Sequence, residues 1–316
     1  MFDYSEEFKL IAEAYEKSGG TSDLLQSRQH GVMVVSGNVL LGKNEVQGLI
    51  IDGESMIDGV KASIVVKKGT ILQNPVHLCF GVIPAEGTQR ILADFTIEEG
   101  ASASFIAHCT FPNALEVTHI MEGKVAVGKG AFMEYSETHY HGIKGGVRVL
   151  PTMKINIAES GSYISTFKLV KGAAGLVRID YAAHLAESSI AELYAKIFGK
   201  GTDDIRVKES VYLDGERSRG LAKSRIVVSE QAKAEVLGEM FGSGKSSRGH
   251  VDCIEIIQGN GAKASAVPKL NVVEETAKLT HEAAIGNIDR RQMETLMARG
   301  LSEIEATDLI VSGILK

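Results

Sequence analysis

Cys253 sits in the string Val251-Asp252-Cys253-Ile254-Glu255-Ile256-Ile257, and His281-Glu282 follows 28 residues after the cysteine. A thiolate is a soft ligand for iron and a nucleophile toward sulfane sulfur, while imidazole and carboxylate can complete a coordination shell. A segment of that length can return the chain to a neighbouring coil and bring the three side chains together. The same residues also fit a cysteine packed as a small hydrophobe with a capping histidine, which is the commoner arrangement. Glu137, His139 and His141 alternate along a strand-like string, so period-two geometry sets them on one face. That face suits a metal or, more commonly, solvent. His108 and Cys109 are adjacent and point to opposite faces of any strand, and Cys109 and Cys79 both suit small buried positions.

Gly242-Ser243-Gly244-Lys245-Ser246-Ser247 has the look of a phosphate loop, but the required spacing needs glycine where Glu239 stands. A working loop also opens a helix at the phosphates, whereas Arg248, Gly249 and the β-rich Val251 to Ile257 follow here. Nucleotide binding by this chain is therefore not expected.

The surrounding composition narrows the remaining classes. Three cysteines in 316 residues, far apart in sequence, make neither a disulfide framework nor a CxxC zinc site, and they suit a reducing, cytoplasmic setting. A formal charge of -6 with Lys and Arg scattered excludes a basic nucleic-acid footprint. The acidic start, with Asp3, Glu6 and Glu7, is unlike a secretory leader, and no apolar run approaches the length of about 18 residues that a membrane helix needs.

The elements that would carry these residues change type along the chain. Phe8, Ile11 and Tyr15 share one face of a predicted helix over 3–18, with acidic residues in its first turn and Gly19-Gly20 after it, in a helical segment spanning 1–31. Over 32–273 the pattern becomes short β-branched runs such as Val32 to Val35, Ile64 to Val66, Val125 to Val127 and Ile226 to Val228, broken by Gly, Asn or Asp. Gly69, Gly100, Gly130 and Gly161 recur at intervals of 31, 30 and 31, and strand-like strings follow the last three. Fixed-period strand and corner units predict a stacked β solenoid, with propellers and sandwiches as the other β architectures compatible with the runs. The recurrence blurs after residue 190. The segment 274–316 is assigned as helical. In it, Asp289 is placed to cap one helix that ends at Gly300, and Ser302 with Glu305 forms a capping box for a second that stops near Gly313.

Cys253, Pro268, His281-Glu282-Ala283-Ala284-Ile285-Gly286, Ile288-Asp289 and Arg299-Gly300-Leu301 through Glu305-Ala306 and Gly313 resemble, spacing included, the C-terminal core signature of the SufB/SufD family. Glu99-Gly100 through His108-Cys109-Thr110-Phe111-Pro112, and on to His119 and Gly130, is similar to the central segment of SufB. The resemblance covers roughly residues 70 to 316, most specifically the last 65 or so, and lacks the long N-terminal region of bacterial SufB, as in reduced archaeal-type members.

The resemblance implies a right-handed parallel β-helix between helical ends, acting as a scaffold for iron-sulfur cluster assembly beside a SufC-type ABC ATPase that the C-terminal helices contact. It implies that Cys253, His281 and Glu282 form the site of a transient iron-sulfur cluster and that Cys109 accepts sulfur. Two positions depart from the SufB pattern: Thr280 replaces a carboxylate, and Met153 beside Lys154 stands where a lysine is expected on the sulfur path. SufD-type members lack the cluster cysteine, so Cys253 makes the chain SufB-like, paired with a second copy of itself or with a SufD-like subunit. Sulfur donors and cluster recipients would be further partners, and the sequence does not address flavin. Four thiolates are usual for a cluster, and three distant cysteines do not supply them at one site. Two chains meeting at Cys253 would share one. The rival readings are a purely structural SufD-like partner and a β-helix carbohydrate enzyme. The latter would need a carboxylate cluster or sugar-stacking aromatics, and tryptophan is absent.

Overall fold

The computed structural model describes residues 6–315. It opens with helix α1 (Glu6–Lys17), which buries Phe8, Ile11, Ala14 and Tyr15. Residues 3–5 of the expected helix lie outside the described residues. A short 3-10 turn, Ser22–Gln26, leads into the β region. Its nineteen strands are β1 (Val32–Ser36), β2 (Val39–Asn44), β3 (Leu49–Met56), β4 (Gly59–Val66), β5 (Val76–Gly81), β6 (Glu86–Ile97), β7 (Ser102–Phe111), β8 (Glu116–Val127), β9 (Phe132–His141), β10 (Val147–Ile157), β11 (Ser162–Lys171), β12 (Leu176–Leu185), β13 (Ile190–Gly199), β14 (Asp204–Leu213), β15 (Arg219–Ser229), β16 (Lys233–Gly242), β17 (Arg248–Gln258), β18 (Lys263–Val272) and β19 (Lys278–Asn287).

From β4 onward, successive strands alternate between two sheets, and each pairs in parallel with the strand two places along the chain. One sheet has 10 strands in the order β19-β17-β15-β13-β11-β9-β7-β5-β1-β2; the other has 9, ordered β18-β16-β14-β12-β10-β8-β6-β4-β3. This is a parallel β-solenoid, as the strand and corner period indicated. Side chains alternate between the interior and the outside, so that along β9 Met133, Tyr135, Glu137, His139 and His141 are buried and the residues between them are not. The inward set forms one continuous apolar cluster from Met33 to Cys253, each fully buried Val, Leu, Ile or Phe contributing about 1.5–3 kcal/mol.

The corners explain both the glycine recurrence and its fading. Gly69, Gly100 and Gly130 hold φ of 68°, 65° and 62°, a left-handed region that costs glycine nothing. The backbone N–H of each donates to a carbonyl of the next coil, that of Glu99, Lys129 and Glu159 respectively, at 2.9 Å. In the next coil the left-handed residue is Ser160 at 58°, not Gly161. Ser188, Arg217 and Ser246 then continue the column at 56°, 58° and 56°. The corner persists while its glycine signal disappears.

The two ends differ. At the N-terminal end β2 and β3 fold back antiparallel on β1 and β4, and α1 covers the outer face of β1, β5 and β7. At the other end the solenoid continues past residue 273, where helix was expected to take over: β19 occupies Lys278–Asn287, carrying His281 and Glu282. Helices α2 (Arg290–Met297) and α3 (Glu303–Ile314) follow. Asp289 caps the first through the N–H of Arg291 at 2.7 Å, and Ser302 and Glu305 form the full capping box of the second. Gly300, at φ 98°, separates the two helices, and α3 runs through Gly313 to Ile314. Val311 and Leu315 seat α3 on Phe198 and Val227 of the outer sheet face, whereas α2 buries no residue. Among the described residues no helix is long and apolar enough to cross a membrane.

Candidate functional site

Cys253 lies on β17, 2% exposed, one strand from the end of its sheet. Parallel register sets it between Ser224 of β15 and Ala283 of β19. Val251, Cys253 and Glu255 share the inward face, and His281, in register with Val251, continues that face onto β19. Cys253 and His281 are thus diagonal neighbours across one strand pair, a relation that puts Cβ atoms about 7–8 Å apart. Glu282 is in register with Asp252, so it is directed to the opposite, outer face. There Asp252 is held by Arg225 at 2.9 and 2.6 Å and by Lys223 at 3.3 Å. Thr280 also faces outward and meets His250 Nδ1 at 2.8 Å, so its replacement of a carboxylate alters the outer face rather than the thiol's surroundings. Within one chain the fold therefore groups Cys253 with His281 and separates Glu282 from both.

A carboxylate that sequence reasoning passed over is closer to the thiol. Glu255 is fully buried, accepts from Ser224 Oγ at 3.0 Å, and leaves Oε2 without a partner among the described residues. Burial pushes its carboxyl up to about 7. The signal was the alternation Val251, Cys253, Glu255: once Cys253 is inward, the residue two further on must be inward too. Burial also raises the Cys253 thiol to about 11, partly opposed by the neighbouring Ser224 hydroxyl. The group is a neutral thiol at neutral pH, and a metal must displace its proton to bind.

Cys109 lies on β7, five strand steps from β17 and so about 24 Å away along the solenoid axis. It is 0% exposed and faces inward, in register with His139, while His108 turns out beneath α1 and meets Ser18 Oγ at 2.5 Å. Cys109 Sγ is 3.6 Å from Glu137 Oε1, which is itself 2.5 Å from His139 Nε2. Burial first, then the charge of Glu137, drives the Cys109 thiol well above its ordinary range. Burial works to raise Glu137, but the hydrogen bond and charge of His139 outweigh it and hold the carboxyl low. His119 of β8 faces this group across the interior and is held neutral by burial, down to about 3. Glu137, His139 and His141, read from sequence as one strand face, do share a face, and it is the buried one. Cys79 instead packs in the apolar layer beneath α1 with Phe8, Ile11 and Tyr15, the small-hydrophobe arrangement. Between the two thiols the interior carries Tyr163, Ser165, Tyr181 and Glu209, and burial raises Glu209 to about 8. Met153 occupies an inward position and Lys154 an outward one, so no lysine enters the interior there.

The family model described as SUF system FeS cluster assembly, SufBD core domain, matches residues 90–314. An iron-sulfur cluster assembly SufBD family protein of Methanocaldococcus jannaschii is 36% identical over 308 residues, covering 96% of this chain and 97% of that protein. A SufBD family protein of Pyrococcus horikoshii is likewise 36% identical over 309 residues, covering 98% and 94% of the two chains. The iron-sulfur cluster assembly protein SufB of Bacillus subtilis is 24% identical over 263 residues, which cover 80% of this chain and 54% of that one. With this match and these near full-length relatives, the chain belongs to the SufBD family of iron-sulfur cluster assembly proteins.

Proposed function

We propose that the chain is a SufB-like cytoplasmic scaffold that assembles a transient iron-sulfur cluster at Cys253, at an interface with a second copy of itself. The observation that carries this reading is a thiol and an imidazole on one inward face, Cys253 and His281, one coil from an open end of the solenoid. β18 and β19 each have a single hydrogen-bonded neighbour, so each presents an unpaired edge, and Val267 and Ile285 on them are each 48% exposed. A second copy related by a two-fold axis would pair these edges and bring two Cys253 thiols and two His281 rings toward one volume. Glu282, on the opposite face of β19, would serve the partner copy's side of that boundary. A set of few thiolates completed by imidazole or carboxylate holds a cluster loosely, which suits a protein that must hand its cargo on.

Cys109, about 24 Å along the interior, would accept sulfur and pass it toward Cys253. A SufC-type ABC ATPase would supply the energy by docking on α2, whose side chains the solenoid leaves uncovered. Anaerobic reconstitution with iron and sulfide tests the site: wild type should retain both, and Cys253→Ser and His281→Ala should each lose them. Equal retention in all three would reject the assignment. Deletion of residues 287–316 should abolish copurification with the ATPase, and retained binding would move that contact elsewhere.

A further inference from the structure

We infer that Cys109, Glu137 and His139 form a second, enclosed metal site, taking a single borderline-soft divalent cation of the zinc or ferrous class. Their ligand atoms all lie within 4.8 Å of one another, and all three residues are buried. Thiolate, carboxylate and imidazole at four-coordinate spacing match such a cation and poorly suit calcium or magnesium, which take oxygen alone.

A second observation comes from protons and orphaned atoms. His141 Nδ1 lies 2.9 Å from the Ala173 carbonyl and must donate to it. Its other ring nitrogen, Nε2, lies 3.3 Å from His139 Nδ1 and accepts from it. These assignments follow from the hydrogen-bond network. They aim His139 Nε2 at Glu137 and fix it through a second-layer histidine and a backbone carbonyl, as metal-binding imidazoles usually are. Glu137 Oε2 and both ring nitrogens of His119 are buried without a hydrogen-bond partner among the described residues. The His119 ring stands 5.9 Å from that of His139, outside the three-residue group, and would have to move to reach an ion held there. Leaving such groups unpaired costs about 1–3 kcal/mol each. Binding displaces the proton of the Cys109 thiol, and the thiolate together with the Glu137 carboxylate offsets the charge of a divalent cation.

The site shares its thiol with the sulfur-accepting role proposed for Cys109 and stands apart from Cys253, so its test is made in the Cys253→Ser chain, where Cys79 and Cys109 are the remaining thiols. Equilibrated anaerobically with Co²⁺, that chain should bind one ion with a thiolate-to-cobalt charge-transfer band in the near ultraviolet. Adding Cys109→Ser should remove the band, and Glu137→Gln should weaken binding at least about tenfold. Zn²⁺ should raise the melting temperature of the Cys253→Ser chain but not that of the Glu137→Gln chain. Absence of the band, or its persistence without Cys109, would overturn the proposal. If Cys109→Ser does not fold, unchanged Co²⁺ affinity in Glu137→Gln would overturn it equally.

Discussion

The two ends of the solenoid differ in how they surround an inward-facing thiol: Cys109 lies among buried side chains nearer the N-terminal end, and Cys253 lies one strand from the C-terminal edge of its sheet. Around Cys109 every inward neighbour is covered, three further strands, β5, β1 and β2, lie beyond it in its sheet, and α1 lies over the outer face. Around Cys253 the next strand is the last, and His281 and Ala283, which complete its inward face, are exposed. Residue type alone does not separate the two thiols. Under the proposed function, their position along the stack decides which is finished by a partner and which is complete within the chain.

The largest effect that would sharpen this contrast is in packing. Phe111 is fully buried with its ring 5.1 Å from that of His119 and 5.4 Å from that of His141, so Phe111→Ala should cost about 3–5 kcal/mol in denaturant unfolding. Ile285→Ala at the open end should change the stability of the isolated chain by less than about 0.5 kcal/mol while weakening self-association. Similar losses from both would mean that the C-terminal coil is sealed too.

Glu209 tests the stretch between the ends through pH. In the folded chain its carboxyl stays protonated up to about pH 8, whereas in the unfolded chain it ionises near the ordinary glutamate value of about 4.3. The unfolded state therefore releases a proton that the folded state keeps. The stability is fully present below about pH 4 and is lost as pH rises toward 8. Glu209→Gln should match wild type at pH 4 and exceed it at pH 8.5 by several kcal/mol, up to about 5. Parallel stability curves across that range would show that the interior is wetter than its packing implies.

Much of this organisation was legible in the sequence, within limits set by physics. The period showed wherever glycine occupied the left-handed corner, at Gly69, Gly100 and Gly130, and faded where Ser188, Arg217 and Ser246 adopt the same conformation. Strand parity was readable for Glu137, His139 and His141, but not their burial, because a polar string on one face looks the same whether that face meets solvent or the axis. His281 and Glu282 were grouped with Cys253 by sequence distance, and only the register of β19 shows that one shares its face and the other does not. That strand lies in the segment 274–316 assigned as helical, and its Ala283-Ala284-Ile285-Gly286 stretch carries little β preference.

Reactivity offers a smaller contrast. Both thiols are protonated at neutral pH, but Cys253 is raised only to about 11 and lies one strand from the open end. Native-state alkylation at pH 8 should label Cys253 about tenfold or more faster than Cys109 or Cys79. Equal rates would erase the distinction between the ends. Smaller still, Asp289→Ala removes the cap of α2 and should cost about 1 kcal/mol locally, read as faster amide exchange in α2 with the solenoid unchanged. Exchange that spreads into β19 would show the helix to be part of the open end's framework.

The division between the ends is tested most directly by supplying iron and inorganic sulfide anaerobically to Cys253→Ser and Cys109→Ser side by side and measuring the iron and sulfide each retains. Inorganic sulfide bypasses the acceptance step, so the chain lacking the Cys109 thiol should build a cluster as wild type does, while the chain lacking Cys253 should retain less than about a tenth as much. A cluster that survives loss of Cys253, or one that depends on Cys109 instead, would contradict the account.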